Sequence, residues 1–303
     1  MDTQRHSGVL DDTVSRLSDE GAYRRLFHAR EGGEALPSGD VVRQLVELCR
    51  SILFPGYYGG ICVSRQTLRF HTGVQVERLY SLLSHQIHAG FRFDSHSEEE
   101  RGDKRLLDRS RAIAEAFIAT LPETRELLAT DAEATFNGDP AAHDPGEVIF
   151  CYPGFRAIAN YRLAHRLYQL EVPYIPRMIT EMAHSETGID IHPGASIGHH
   201  FSIDHGTGTV IGETSVIGNH VRIFQGVSLA GEKLPPDENG NAIRGVSRHP
   251  ILEDQVTVYA NTTLIGRIRI GKGATICGNV WVSEDVPAGA VVTQDRREQS
   301  KTI

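Results

Sequence analysis

From Ile191 onward the aliphatic residues recur every six positions, a period that fits neither an α-helix nor a free-standing strand. The runs are Ile191, Ile197 and Ile203, then Ile211, Ile217, Ile223 and Leu229, then Leu252, Val258, Leu264, Ile270, Ile276 and Val282. Four residues after each stands a residue that is often small or β-branched: Ala195, Thr207, Ser215, Val221, Val227, Val256, Thr262, Ala274, Val280 and Val286. Six residues make one short flat strand and a corner, and three such sides close one triangular coil of a solenoid. Each aliphatic then points into the prism and stacks on its equivalents above and below. Glycines after several of them (Gly198, Gly212, Gly218, Gly271) suit corners.

Two interruptions break the phase. Between Ile203 and Ile211 the step is eight residues, through the segment IDHGTGTV. Between Leu229 and Leu252 runs a polar, Pro- and Gly-rich segment that cannot stay in the wall and must loop outward, over 231–249. Loops projected from a rigid scaffold are where binding and catalysis concentrate.

The preceding residues read as helical. Val76, Leu79, Tyr80, Leu83 and Ile87 form one helix face, with Gly90 as its stop. Ile113, Phe117 and Leu121 form a second, and Pro122 ends that helix or opens the next. Further helices are expected over Val41–Leu53, Gly154–Leu170 and Pro176–His184. The division is thus α+β: a helical domain over 1–186, its first 20 residues disordered, then a β-helix over 187–303.

A net charge of −8 argues against nucleic acid as a partner. No apolar run reaches the roughly 18 residues that span a membrane. The polar N-terminus lacks the pattern of a secretory signal, and Cys49, Cys62, Cys151 and Cys277 form no CxxC. A cytoplasmic protein with reduced thiols is expected.

His205 in the eight-residue step is a natural general base for an alcohol. Such a base needs a carboxylate on its other nitrogen, and Asp190, 15 residues earlier and just under one coil away, is the candidate. Arg248 and His249 stand at the return of the outward loop. A guanidinium beside a second imidazole, with free carboxylates such as Asp204, suits a zwitterionic amino acid: the cation grips its carboxylate and the acids its ammonium. No cysteine lies near His205, so direct attack of a substrate hydroxyl on a bound thioester is favoured over an acyl-enzyme. Ala230-Gly231 could supply a backbone donor to the oxyanion. A zinc hydro-lyase is the reading from another class: His200 and His205, five apart, could offer two ligands, but no third histidine on a neighbouring coil is evident.

The combination of DIHPGASIGHHFSIDHGTGTVIGET (190–214), VRIFQGVSLAG (221–231) and SRHP (247–250) closely resembles the serine O-acetyltransferases. The resemblance extends through the coils to Val292 and upstream over 152–168, about half of the chain. It implies a left-handed parallel β-helix and transfer of acetyl from acetyl-CoA to L-serine for cysteine biosynthesis, with no metal. It places the catalytic histidine on His205 and its orienting aspartate on Asp190. Serine contacts fall on Asp204, Arg248, His249 and Asp139 of GDPAA, with Asp144 as the competing assignment. Coenzyme contacts fall on Ala260 and Gly278. YANTT replaces the usual Gly-rich run at Ala260, Thr275 stands where some members have lysine, and the stretch that commonly follows VVTQ is missing. The family implies active sites between adjacent β-helices, hence a homotrimer or a dimer of trimers. Some members end in isoleucine that docks into the O-acetylserine sulfhydrylase, and this chain ends in Ile303. An acetyltransferase for another hydroxyl, such as a sugar, is the alternative.

Overall fold

A computed structural model describes residues 2–23, 36–59, 64–95, 104–233, 235–241 and 243–294. Cys62 and Ile303 lie outside the described residues. The chain divides into two compact units, Met1–Ala35 and Leu36–Ile303.

In the first unit, α1 (Asp2–Leu17) and α2 (Glu20–Tyr23) are helical where a disordered tail is expected. Leu10, Val14 and Leu17 recur at helical spacing, a stripe that the reading of the first residues as uniformly polar passes over.

The second unit begins with the helices α3 (Gly39–Leu53), α4 (Leu68–Asp94), α5 (Lys104–Ala119) and α6 (Leu121–Gly138). After them come α7 (Pro145–Cys151), α8 (Pro153–Gln169) and α9 (Ile175–Thr187). Gly90 does not end α4, which runs on to Asp94; a Cβ there would come 3.1 Å from the carbonyl oxygen of Pro173, so the glycine permits a close approach. Pro122 stands in the first turn of α6, where its missing N–H costs nothing. Gly188 closes α9 in the left-handed conformation, φ 69°, and the chain turns into the solenoid.

Among the described residues fourteen short strands then form three parallel sheets, in the orders β1-β4-β7-β10-β13, β2-β5-β8-β11 and β3-β6-β9-β12-β14. Their bounds in the first turns are β1 (Asp190–Ile191), β2 (Ser196–Ile197), β3 (Ser202–Asp204), β4 (Val210–Ile211), β5 (Val216–Ile217), β6 (Arg222–Phe224) and β7 (Ser228–Ala230). Beyond the outward loop come β8 (Ile251–Leu252), β9 (Thr257–Val258), β10 (Thr263–Ile265), β11 (Arg269–Ile270), β12 (Thr275–Ile276), β13 (Trp281–Val282) and β14 (Val291–Val292). The sheets are the three faces of the prism, about five turns tall. The six-residue aliphatics are buried along its axis, save Ile197, which is half-buried. The second column is buried too, with one displacement: Thr207 is exposed and Thr209 is fully buried in its place. The two extra residues of the eight-residue step are extruded as a bulge before the repeat resumes.

The helical domain seats on the first turn through α6 and α8. Arg162 of α8 pairs with Asp131 of α6, both side chains buried, and donates to the carbonyls of Ile197 and Gly198 at 2.6 Å. Asp131 Oδ1 accepts the Phe201 N–H at 2.9 Å. Every polar atom of this buried pair is therefore answered, the condition under which such a pair is tolerated. Gly154 of α8 lies against the chain just before the bulge: a Cβ there would come 2.3 Å from the Ile203 carbonyl oxygen.

Candidate active site

The bulge leaves the prism where the β3-β6-β9 face meets the β1-β4-β7 face. His205 sits there in the left-handed conformation, φ 58°, with 74% of its side chain exposed. Its Nε2 is 3.6 Å from Asp204 Oδ1. The other oxygen of Asp204 accepts from Arg222, whose guanidinium also stacks over Phe224 at 4.7 Å. Across this corner stands Asp139, the cap residue after α6. Its carboxylate accepts the Tyr152 hydroxyl at 2.7 Å and the Ala141 N–H at 2.9 Å. These two donors, with Arg222 and His205 nearby, hold it below the usual carboxylate range. Asp139, Tyr152, Asp204 and Arg222 together line one small cleft. Asp144 is engaged elsewhere: it caps α7 by accepting the Glu147 N–H at 3.0 Å. The geometry therefore separates the two aspartates, with Asp139 at the cleft and Asp144 in a helix cap.

Asp190 is not bonded to His205, contrary to the sequence expectation. It opens β1 beside Val210, and its carboxylate groups with Glu181 and His184 of α9 within 4.8 Å. His205 is 74% exposed and has Asp204 as its near carboxylate, while Asp190 faces groups of α9.

Arg248, His249 and Gly231 lie at the other edge of the β1-β4-β7 face, beyond β4. His205 stands before β4 and the Gly212–Thr214 corner that receives His249 follows it, so the two lie at opposite edges of that face. The sequence reading treats these residues as one site; a single chain holds them as two half-sites.

The second half-site is built around a buried imidazole. His249 Nδ1 lies 3.2 Å from the Thr214 N–H and 2.8 Å from Thr214 Oγ1. A backbone N–H can only donate, so Nδ1 is the acceptor and Nε2 carries the proton. Thr214 Oγ1 in turn accepts the N–H groups of Arg248 and His249 at 2.9 and 3.1 Å, locking the loop's return. Burial, and then the neighbouring Arg248, push His249 down to about 4, so it is neutral at physiological pH. Gly212 and Gly231 are required beside it: a Cβ on either would come 2.0 and 3.0 Å from the imidazole.

Ala260 and Gly278 stack on successive turns along the same edge as His205. A Cβ at Gly278 would come 3.1 Å from the Ala260 carbonyl, which accepts the Asn279 N–H at 2.9 Å. The Ala260 and Gly278 N–H groups bond no other protein group among the described residues. A ring pair, Phe224 over Tyr259 at 4.9 Å, stands beside them.

Sequence reasoning missed Arg222, Tyr152 and Thr214. Arg222 had a signal: it shares an outward position with Ser202, Thr257 and Thr275, and is the charged one of the four.

A parallel β-solenoid carrying an exposed histidine beside carboxylates, with an Arg-His pair on a looped-out return, defines an acyltransferase of the six-residue-repeat class. Comparison with known proteins narrows the class. The plasmid-encoded serine acetyltransferase of Synechococcus elongatus is 44% identical over 293 residues, 96% of this chain and 92% of that protein. The Bacillus subtilis serine acetyltransferase is 42% identical over 185 residues, covering 58% of this chain and 81% of its own length. The crystal structure of Entamoeba histolytica serine acetyltransferase 1 in complex with L-cysteine superposes with a TM-score of 0.71 at 33% identity, covering 91% of this chain and 93% of that one. No protein-family profile matches the chain. The chain belongs to the serine acetyltransferase family. Among the described residues no helix is long and apolar enough to cross a membrane.

Proposed function

We propose that the chain transfers acetyl from acetyl-CoA to the hydroxyl of L-serine, in the cytoplasm, as a step of cysteine biosynthesis. The observation that carries this reading is the convergence of Asp139, Asp204 and His205 at one edge of the prism, with Arg248 and His249 at the other. An oligomer that sets one edge against the other edge of a neighbouring copy would complete the site. Asp139 and Asp204 would hold the ammonium of serine; Arg248 and the Nε2–H of a neighbour's His249 would hold its carboxylate. This argues for a homotrimer, or a dimer of trimers, with residues 187–303 as the acyltransferase domain.

His205 would take the proton from the serine hydroxyl as the hydroxyl oxygen attacks the acetyl carbonyl. Acetyl-CoA supplies the activated acetyl group as a thioester. His205 would return the proton to the departing sulfur, giving O-acetylserine and free coenzyme thiol. Asp190 is the family's orienting carboxylate and would reach His205 by side-chain rotation; Asp204 already stands 3.6 Å away. The unshared N–H groups of Ala260 and Gly278 suit the polar length of the coenzyme, and Gly231 of a neighbour would border it. L-Cysteine, bound in the Entamoeba structure, would compete for the serine half-sites. Docking of Ile303 into the sulfhydrylase rests on the family resemblance.

A thiol-release assay with acetyl-CoA tests the reading. Release that depends on L-serine supports it, as does inhibition by L-cysteine followed through loss of the thioester, since L-cysteine is itself a thiol. Release driven by sugars and indifferent to serine would overturn it.

A further inference from the structure

Where the β2-β5-β8 face meets the β3-β6-β9 face, far along the wall from His205, the corner carries three histidines. His200 and His220 occupy equivalent positions on successive turns, since Ser202 pairs with Arg222 two residues on. Both are left-handed, φ 55° and 56°. The same corner of the higher turns holds Gln255, Gly273 and Gly289, also at positive φ. That region favours glycine, so two stacked imidazoles are not the least strained occupants.

The ladder spacing stacks the two rings, 4.3 Å between centroids and 23° between planes. His199 stands edge-on to both, its Nδ1 2.7 Å from His200 Nδ1. One ring nitrogen from each of the three lies within 4.8 Å of the others. The backbone around them is fixed: His199 N–H donates to Asn219 Oδ1, and His200 N–H to Thr130 Oγ1 of α6. Glu133, on the same helix, reaches within 3.8 Å of His200 Nε2.

We propose that His199, His200 and His220 form a binding site for a divalent transition-metal ion of the zinc class, with Glu133 or water completing the shell. Three imidazoles suit Zn²⁺, Ni²⁺ and Cu²⁺ rather than Mg²⁺ or Ca²⁺. Zinc–nitrogen bonds of about 2.0–2.1 Å place tetrahedral ligand atoms some 3.3 Å apart, which side-chain rotation alone can reach from the present spacing. The third ligand is His220, on the next turn, where the sequence shows no evident third histidine; His205, the partner the sequence suggests for His200, stands beyond β3 at another corner. The ion would staple the first two turns to each other and, through Glu133, to α6. It takes no part in acetyl transfer, and its failure would leave the serine acetyltransferase reading untouched.

The test uses the full chain without a histidine tag, stripped with chelator and titrated calorimetrically with Zn²⁺. Binding of one ion per chain at micromolar affinity or tighter is expected, with a rise in Tm that follows zinc concentration. H220N keeps the left-handed backbone, which asparagine tolerates, and H199N alters an exposed side chain; each should weaken zinc at least tenfold while serine-dependent turnover stays at the wild-type rate. Absence of saturable binding below 1 mM (about 4 kcal/mol of affinity) would overturn the proposal. So would full retention of binding in the H199N/H220N double variant, which would assign the ion to the Glu181–His184–Asp190 group instead.

Discussion

His205 is held by little besides its own backbone. Its ring is exposed, one carboxylate stands at 3.6 Å and a second opens the same turn. His205→Ala should lower kcat by about 10²- to 10⁴-fold, the range for losing a general base, with near-normal turnover contradicting the assignment. Comparing Asp190→Ala with Asp204→Ala separates orientation from binding: the first should depress kcat, the second should raise the serine KM. His249 is the opposite kind of residue, buried and fixed in one tautomer by Thr214. Its folded pKa of about 4 lies below the ordinary 6.5. The unfolded chain therefore binds more protons as pH falls between those values, and stability present above pH 6.5 drains away toward 4. Denaturation midpoints measured from pH 7.5 to 5 should fall, and the fall should be shallower in His249→Gln. Parallel slopes in the two proteins would show that this imidazole is not the group responsible.

At the level of elements, α6 and α8 decide where the first turn sits. Removing Asp131 would strand the Arg162 guanidinium and unanswer the Phe201 N–H at once. Asp131→Ala should cost about 3–5 kcal/mol by the measure of other broken buried pairs. Urea unfolding checks this, and a loss under 1 kcal/mol would show that the carbonyls of Ile197 and Gly198 suffice to hold Arg162. The solenoid was legible because its repeat is short and its register strict: a buried aliphatic every six residues leaves little choice of fold. The helical half was legible only in part. Gly90 looks like a stop because sequence shows the missing Cβ, whereas its use is the passage of Pro173. The residues that bear on chemistry divide in the same way. His205 and Arg248-His249 announce themselves by breaking a pattern. Arg222 and Tyr152 keep the pattern of their own elements, and their meaning arises from packing between distant segments. The contact between Asp190 and His205, inferred from spacing, fails in the single chain because spacing says nothing about which way a side chain points.

In the whole molecule the two halves of the proposed site lie on opposite edges of one face. Two variants that are each inactive for different reasons should therefore rescue one another when their subunits mix. In random co-assembly of His205→Ala with Arg248→Ala, about a quarter of the interfaces would pair an intact His205 edge with an intact Arg248 edge. Activity near a quarter of wild type after co-refolding is the expected result. Failure to rise above either parent would show that each chain completes its own site.

The outward loop enters and leaves the wall at a single neck, where the Glu232 N–H donates to the Arg248 carbonyl at 2.9 Å. Beyond it the repeat resumes with Val216 paired to Ile251 as if nothing intervened. The wall is thus indifferent to how much chain hangs outside it, since each doubling of a flexible loop costs only about 0.6 kcal/mol. The tip of that loop, near Asn239–Gly240, is accordingly a port: a foreign domain spliced there would hang outside the wall, tethered through the neck between Glu232 and Arg248.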